Sequence, residues 1–135
     1  MNEADKIKNI EKTINYWLTS SEDDFRVMMS LYQSKNYNWA LFLGHITVEK
    51  LLKAYYVKKY QTHAPFIHDL YRLAELCGLE LTEENANCLD KITSFNINAR
   101  YEDYKREFHT LCTAAFAKEW IEKINALQQW IKQML

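Results

Sequence analysis

Residues 37–60 read YNWALFLGHITVEKLLKAYYVKKY. The stretch has no proline, and its apolar residues do not alternate as they would in a strand. Trp39, Phe42, Leu43 and Ile46 step by three and four along one side, then Val48, Leu51, Leu52 and Tyr55 along nearly the opposite side. Steps of three and four are the helix period. A helix apolar all round belongs in the middle of a bundle or against a partner. Two charges interrupt it, Glu49 and Lys53. They are spaced i,i+4 with the acid first, so they share a face and attract.

Working outward, residues 4–34 set Ile7, Ile10, Ile14, Trp17, Leu18, Phe25, Met28, Met29 and Tyr32 on one stripe. The polar run TSSEDD (19–24) interrupts it, with Ser20 and Ser21 each three residues before an acid, a capping-box-like spacing. The reading is one long helix with a weak point near Ser20. Downstream, residues 61–67 hold the chain's one proline, Pro65, and read as a connection. His68-Asp69 opens a short helix striped by Leu70, Leu73, Ala74 and Cys77, and Gly78 ends it in a left-handed position. Thr82 caps the next helix, with Glu83 and Glu84 matching its dipole and Leu89 and Ile92 facing inward. Residues 95–103 read as a second connection. Phe116, Trp120, Ile121, Ile124, Leu127 and Ile131 mark a final helix, which residues 104–115 extend or precede as a separate turn. The expectation is an all-α, up-down bundle of four to five helices forming a single domain over residues 1–135, because short links make consecutive helices antiparallel.

Composition agrees. The chain has 135 residues, 48% hydrophobic and 26% charged, with two glycines, a globular profile poor in the turn residues that a sheet needs. A net charge of −1 gives no global attraction to nucleic acid or anionic lipid. The charge is uneven: residues 35–61 are rich in lysine and residues 62–98 in acids, so one basic and one acidic face are expected if this is more than ordinary solvated helix surface. Three scattered cysteines, Cys77, Cys88 and Cys112, suit a reducing compartment. With a polar N-terminus and no long apolar run, a cytoplasmic protein without a membrane segment is expected.

Little in the sequence announces chemistry. Neither Gly-rich phosphate loops nor GxSxG, HxxxH or HExxH occurs. His63, His68 and Asp69 are too loosely spaced to favour a metal, so no metal and no cofactor is expected. His109 and Cys112 lie one helical turn apart, but such a cysteine is more often a small core hydrophobe. The segment INARYEDYKREFH (97–109) is the most suggestive. A histidine moves a proton at neutral pH, and an arginine holds a phosphate through two parallel hydrogen bonds, the minimum for metal-free RNA cleavage. Arg106 and His109 are one turn apart, and Arg100 precedes them. The plain alternative is that Arg100 pairs with Glu49 or Asp103 and locks the corner to the bundle.

Three pieces in this order, YNWALFLGHITVEKLLKAYYV, HAPFIHDLYRLAEL and NARYEDY ahead of the last helix, resemble the HEPN domain family across residues 20–135. The resemblance implies a helical bundle, generally a homodimer. It also implies a family of ribonucleases, toxins of toxin–antitoxin pairs partnered with small nucleotidyltransferases, and non-catalytic nucleotide-binding members. Its catalytic members carry an arginine, four to six residues, then a histidine. Here eight residues separate Arg100 from His109 and two separate Arg106 from His109, and a lysine such as Lys105 does not replace a guanidinium fork. The expectation is therefore a nucleotide-, phosphate-ligand- or partner-binding module, dimeric and inactive as a ribonuclease. Matched to the family pattern, Glu49, Lys53, His68, Asp69, Arg100 and Tyr101 are the expected ligand-binding positions. The resemblance implies that Glu49, Lys53 and Arg100 converge. The alternative is a metal-independent ribonuclease using Arg100 or Arg106 with His109, a toxin paired with a nucleotidyltransferase-type partner, with RNA as its ligand.

Overall fold

The computed structural model describes residues 2–135, the side chain of Ile7 excepted, so the stripe position expected of Ile7 lies outside the described residues. The described residues form six helices: α1 (Glu3–Gln33), α2 (Tyr37–Tyr60), α3 (Leu70–Leu76), α4 (Glu83–Arg100), α5 (Glu102–Leu111) and α6 (Ala114–Met134). The long four make an up-down bundle. Trp17 lies by Lys53 and Ser21 by Thr47, so α1 and α2 are antiparallel. Asn96 lies by His45 and Arg100 by Phe42, so α4 is antiparallel to α2. Phe95 meets Phe116 and Trp120 while Cys88 shares a groove with Lys123, so α6 returns antiparallel to α4 and parallel to α2.

The helix ends follow local chemistry. Asn2, Asp69, Thr82 and Thr113 each accept a hydrogen bond from the backbone N–H three residues on, satisfying donors that would otherwise have no partner. Gly78 takes φ +73° after α3, the left-handed conformation that glycine adopts without a Cβ clash. The run at 19–24 is not a break. Ser21 is buried and donates to the Thr47 carbonyl at 2.8 Å, while Lys50 donates to Ser20 and Asp24, both at 2.6 Å. These polar residues dock α1 onto α2, and the helix passes through them unbroken.

Two boundaries differ from expectation. Residues 95–100 are helical, because Phe95, Asn96 and Ala99 are buried and tertiary packing outweighs the poor helix propensity of the local Ser and Asn residues. The connection shrinks to Tyr101, one extended residue with φ −84° and ψ 130°. Residues 102–111 form a helix of their own that folds back so that Phe108 stacks on Phe95 with ring centroids 5.5 Å apart. Phe95 is the hub of this end, touching Phe108, Phe116 and Trp120. Such ring pairs contribute about 0.5–1.5 kcal/mol each beyond area burial.

As expected of a helix apolar on every side, α2 is central and packs on α1, α3, α4 and α6. It meets α6 and α1 at Gly44, where an added Cβ would stand 2.4 Å from Ile124 Cδ1 and 3.3 Å from Met28 Sδ. Both neighbours are fully buried, so neither has room to retreat. Gly44→Ala gains about 1 kcal/mol of helix propensity, yet overpacking of a filled core costs about 1–3 kcal/mol. We expect Gly44→Ala to lower the urea midpoint. Adding Ile124→Val, which deletes the clashing methyl, restores part of the loss in a double-mutant cycle. A stabilised Gly44→Ala protein would contradict this packing.

Candidate functional site

Two sites emerge, one inside the bundle and one on its surface. The inner one centres on Glu49, 7% exposed on α2. Its Oε2 accepts from Lys53 Nζ at 3.2 Å, and its Oε1 accepts from His68 Nδ1 at 2.7 Å. Lys53 is 5% exposed, with its ammonium 5.3 Å from the centre of the Trp17 ring. One turn earlier, His45 is fully buried. Its Nε2 lies 2.7 Å from the His68 carbonyl, which can only accept, so Nε2 carries the proton. Its Nδ1 then accepts from Asn96 Nδ2 at 3.3 Å. Both ring nitrogens are satisfied with the ring neutral, and burial lowers the His45 pKa below its ordinary 6.5. Glu49 Oε1, at 3.9 Å from Nε2, is a neighbour of this ring and not its ion-pair partner.

This cluster clasps the start of α3. His45 holds the His68 carbonyl, Glu49 holds the His68 ring, and Thr93 Oγ1 accepts from the Leu70 N–H at 3.0 Å. Asp69 caps α3 through the Arg72 N–H. Thus Glu49, Lys53 and His68 are together, and Asp69 is adjacent. Arg100 is not ion-paired with Glu49 or Asp103 as its plain alternative supposed. Its Nε donates to the Asn96 carbonyl at 3.1 Å, and its guanidinium lies over the Phe42 and Tyr101 rings. Lys53 is turned inward onto Glu49, whose buried carboxylate takes its ammonium.

The surface site is a groove of about 700 Å³ between the start of α2 and α5, lined by Asn36, Asn38, Trp39, Glu102, Asp103, Lys105, Arg106 and His109. Trp39 is held edge-on by Phe42, with centroids 5.7 Å apart, and Lys105 Nζ sits 5.2 Å from the Trp39 ring centre. Past Phe42 comes Arg100. Cations and aromatic rings therefore form one row, from Lys105 through Trp39 and Phe42 to Arg100 and the exposed Tyr101. Among the described residues no carboxylate forms an ion pair with Arg100, Lys105 or Arg106. Arg106 and His109 line the same groove, one turn apart on α5.

Other candidates are settled by geometry. The three cysteines are free and buried. Burial pushes the Cys77 and Cys112 thiols up to about 12, far from a thiolate at neutral pH. Among the described residues no group of three or more His, Cys, Asp and Glu side chains is placed to hold a metal ion, and no helix is long and apolar enough to cross a membrane. Sequence reasoning passed over His45, Asn38, Trp39 and Asn96. His45 carried one signal, a lone histidine in an apolar helix four residues before Glu49.

A bundle of this topology with this α2 defines a class. The model of the HEPN domain matches residues 14–134, and the chain belongs to the HEPN domain family. No curated protein matches it in sequence. It is similar in fold to the protein in the crystal structure of TT1696 from Thermus thermophilus, with a TM-score of 0.74 and 18% identity over 90% of this chain and 98% of that one.

The buried cluster makes two predictions. Glu49→Ala leaves the Lys53 ammonium buried without its partner, a loss of about 3–5 kcal/mol, measurable as a fall in the denaturant midpoint. The second concerns pH. His45 binds a proton more weakly in the folded chain than in the unfolded one, so acidification protonates the unfolded state first. Stability from this group is complete above pH 6.5 and declines as pH falls through that value. Melting temperatures across roughly pH 7 to pH 5 will drop on the acid side. His45→Gln, which keeps a donor but does not titrate, will melt lower with a flatter profile. An unchanged slope would assign the acid sensitivity elsewhere.

Proposed function

We propose that this protein is a non-catalytic HEPN-family module that holds a nucleotide or another phosphate-bearing ligand in the groove between α2 and α5, and that it works as a homodimer. The observation that carries this reading is a row of aromatic rings and cations without ion-pair partners, in which Trp39, Lys105 and Arg106 line the groove and Phe42, Arg100 and Tyr101 continue beyond it. Guanidinium and ammonium groups without carboxylate partners are ready donors for phosphate oxygens. Aromatic faces beside them stack bases, an interaction of about 1–3 kcal/mol per base. Arg100 and Tyr101, expected ligand positions, lie at the end of this row. Lys105 and Arg106, on the groove wall, supply the phosphate contacts. Glu49, Lys53, His68 and Asp69 then act from behind, fixing α2 and α3.

The dimer reading is supported by Tyr104 and Leu111, exposed apolar side chains seven residues apart on α5, and by the exposed Ile97 of α4. Exposed apolar side chains on a small protein favour association.

A second reading, metal-independent RNA cleavage, is favoured by one observation: Arg106 and His109 share the groove wall. Against it stands their spacing of two intervening residues, outside the pattern of four to six of catalytic members.

Calorimetric titration with nucleoside mono- and triphosphates tests the main reading. Binding is expected to weaken at least about tenfold in Arg106→Ala and in Lys105→Ala. The absence of binding by the wild-type protein would overturn it. Incubation with RNA decides between the readings: intact RNA is expected, and cleavage that disappears in His109→Ala would establish the second. Light scattering should give the mass of a dimer that Leu111→Glu converts to a monomer, and a wild-type monomer would remove the dimer from the proposal.

A further inference from the structure

The four histidines differ in what holds their rings. His45 is fully buried with both nitrogens engaged. His63 and His109 are exposed, and among the described residues their rings make no hydrogen bond. His68 alone is both open and fixed. Its side chain is 72% accessible, yet its Nδ1 lies 2.7 Å from Glu49 Oε1. A carboxylate oxygen only accepts, so Nδ1 carries the proton, and in the neutral ring the lone pair is on Nε2. The backbone beneath the ring is held as well, by His45 at the His68 carbonyl and by Thr93 at the Leu70 N–H. Asp69 is turned onto its own helix, where it accepts from the Arg72 N–H. Phe66, two residues earlier, is fully exposed, so its side chain does not cover the ring.

We propose that His68 is a phosphoryl acceptor, modified at Nε2 by a donor of the phosphoramidate class and held for that reaction by Glu49. His68 is not part of the groove wall, and the inference does not rest on the ligand reading above. The Nε2 lone pair attacks phosphorus. The P–N bond of the donor breaks, and its electron pair leaves with the amine, which already carries its protons. No proton has to leave the ring, because Nδ1 keeps its own on Glu49 Oε1. The product ring is positively charged, and the carboxylate beside it balances that charge. A nucleophile oriented by a second group is the general pattern of covalent chemistry at a side chain. Other uses of a free Nε2 fit less well. A metal would find a single ligand, since among the described residues no group of three or more His, Cys, Asp and Glu side chains is placed to hold one. Turnover of a substrate needs the reactant held in place, and a ring this accessible encloses none. An acceptor that takes a group from one carrier and is met by the next needs only the openness seen here.

The test is incubation of the full chain with potassium phosphoramidate, read by tandem mass spectrometry of its peptides and by phosphorus NMR, which distinguishes the two ring nitrogens. Phosphohistidine is expected at His68 as the Nε2 isomer, forming about tenfold faster than at His63 or His109, the scale on which a carboxylate partner changes what an imidazole does. In urea the three histidines should react alike, because unfolding removes the Glu49 contact. Glu49→Gln is expected to slow the reaction at His68 about tenfold while His63 and His109 keep their wild-type rates. Should that variant fail to fold, the comparison of folded with urea-unfolded wild type decides alone. Equal rates at the three histidines of the folded chain, an adduct at Nδ1 of His68, or a preference that persists in urea overturns the proposal. So does an unchanged rate at His68 in a folded Glu49→Gln protein. None of these results depends on the nucleotide titrations, so either reading can fail while the other stands.

Discussion

A single buried carboxylate ties four parts of the chain together. Glu49 sits on the central helix, takes the Lys53 ammonium on one oxygen and the His68 ring on the other, and has His45 one turn behind it. Removing such a charge from water is expensive unless its oxygens are filled. Here both are filled, by donors from two different segments. Lys53 in turn rests on Trp17 of α1, and His45 reaches Asn96 of α4. Hydrophobic burial gives the bundle most of its stability, but apolar contacts alone tolerate sliding and repacking. The carboxylate and its partners have one geometry, and with it the register of α1, α3 and α4 against α2 is set.

That fixed register is what gives the surface groove its shape. The same helix that is mostly buried from His45 to Val57 is only half covered at Trp39 and Phe42. The groove wall is thus the less covered beginning of the most firmly packed element. Arg100 joins the two regions. Its Nε is held by the carbonyl of Asn96, the residue whose side chain meets His45, while its guanidinium lies over Phe42. The inner cluster offers a ligand little to grip, with Glu49, Lys53 and His45 nearly or fully buried and turned onto one another. The exposed end of the network is His68, whose side chain is 72% accessible. The cluster positions α2 and α3, and the row of cations and rings lies outside it.

The bundle was legible because its signal is redundant. Apolar spacing along α1, α2 and α6, the Asp69 and Thr82 caps and Gly78 each point to the same helices, and agreement between levels is what makes a fold readable. The break at Tyr101 was not legible. Neither proline nor glycine marks it, and the poor helix formers before it are helical only because Phe95 and Asn96 are buried. The pairing of Glu49 with Lys53 followed from spacing, whereas that of Glu49 with His68 did not, because only the fold brings the start of α3 beside α2. The position of Arg100 did not follow, since its neighbours Phe42 and Asn96 come from the fold.

The two walls of the groove differ in how firmly they are held. Asn38 and Trp39 belong to a helix of 24 residues that touches all five others, whereas α5 has 10 residues, of which Phe108 alone is buried. It enters from an extended Tyr101 without a side-chain cap. Few buried apolar contacts and an uncapped start are the marks of a low-stability unit. The indole of Trp39 is on the firm wall, held edge-on by Phe42. Lys105, Arg106 and His109 are on the soft one. A wall so lightly held lets charged side chains adjust. It does not suit general acid–base catalysis, in which a histidine must be held within hydrogen-bond reach of the proton it moves. His109, exposed near the end of this lightly anchored helix, has no such support, and so the physical character of α5 weighs on the same side as the broken arginine–histidine spacing.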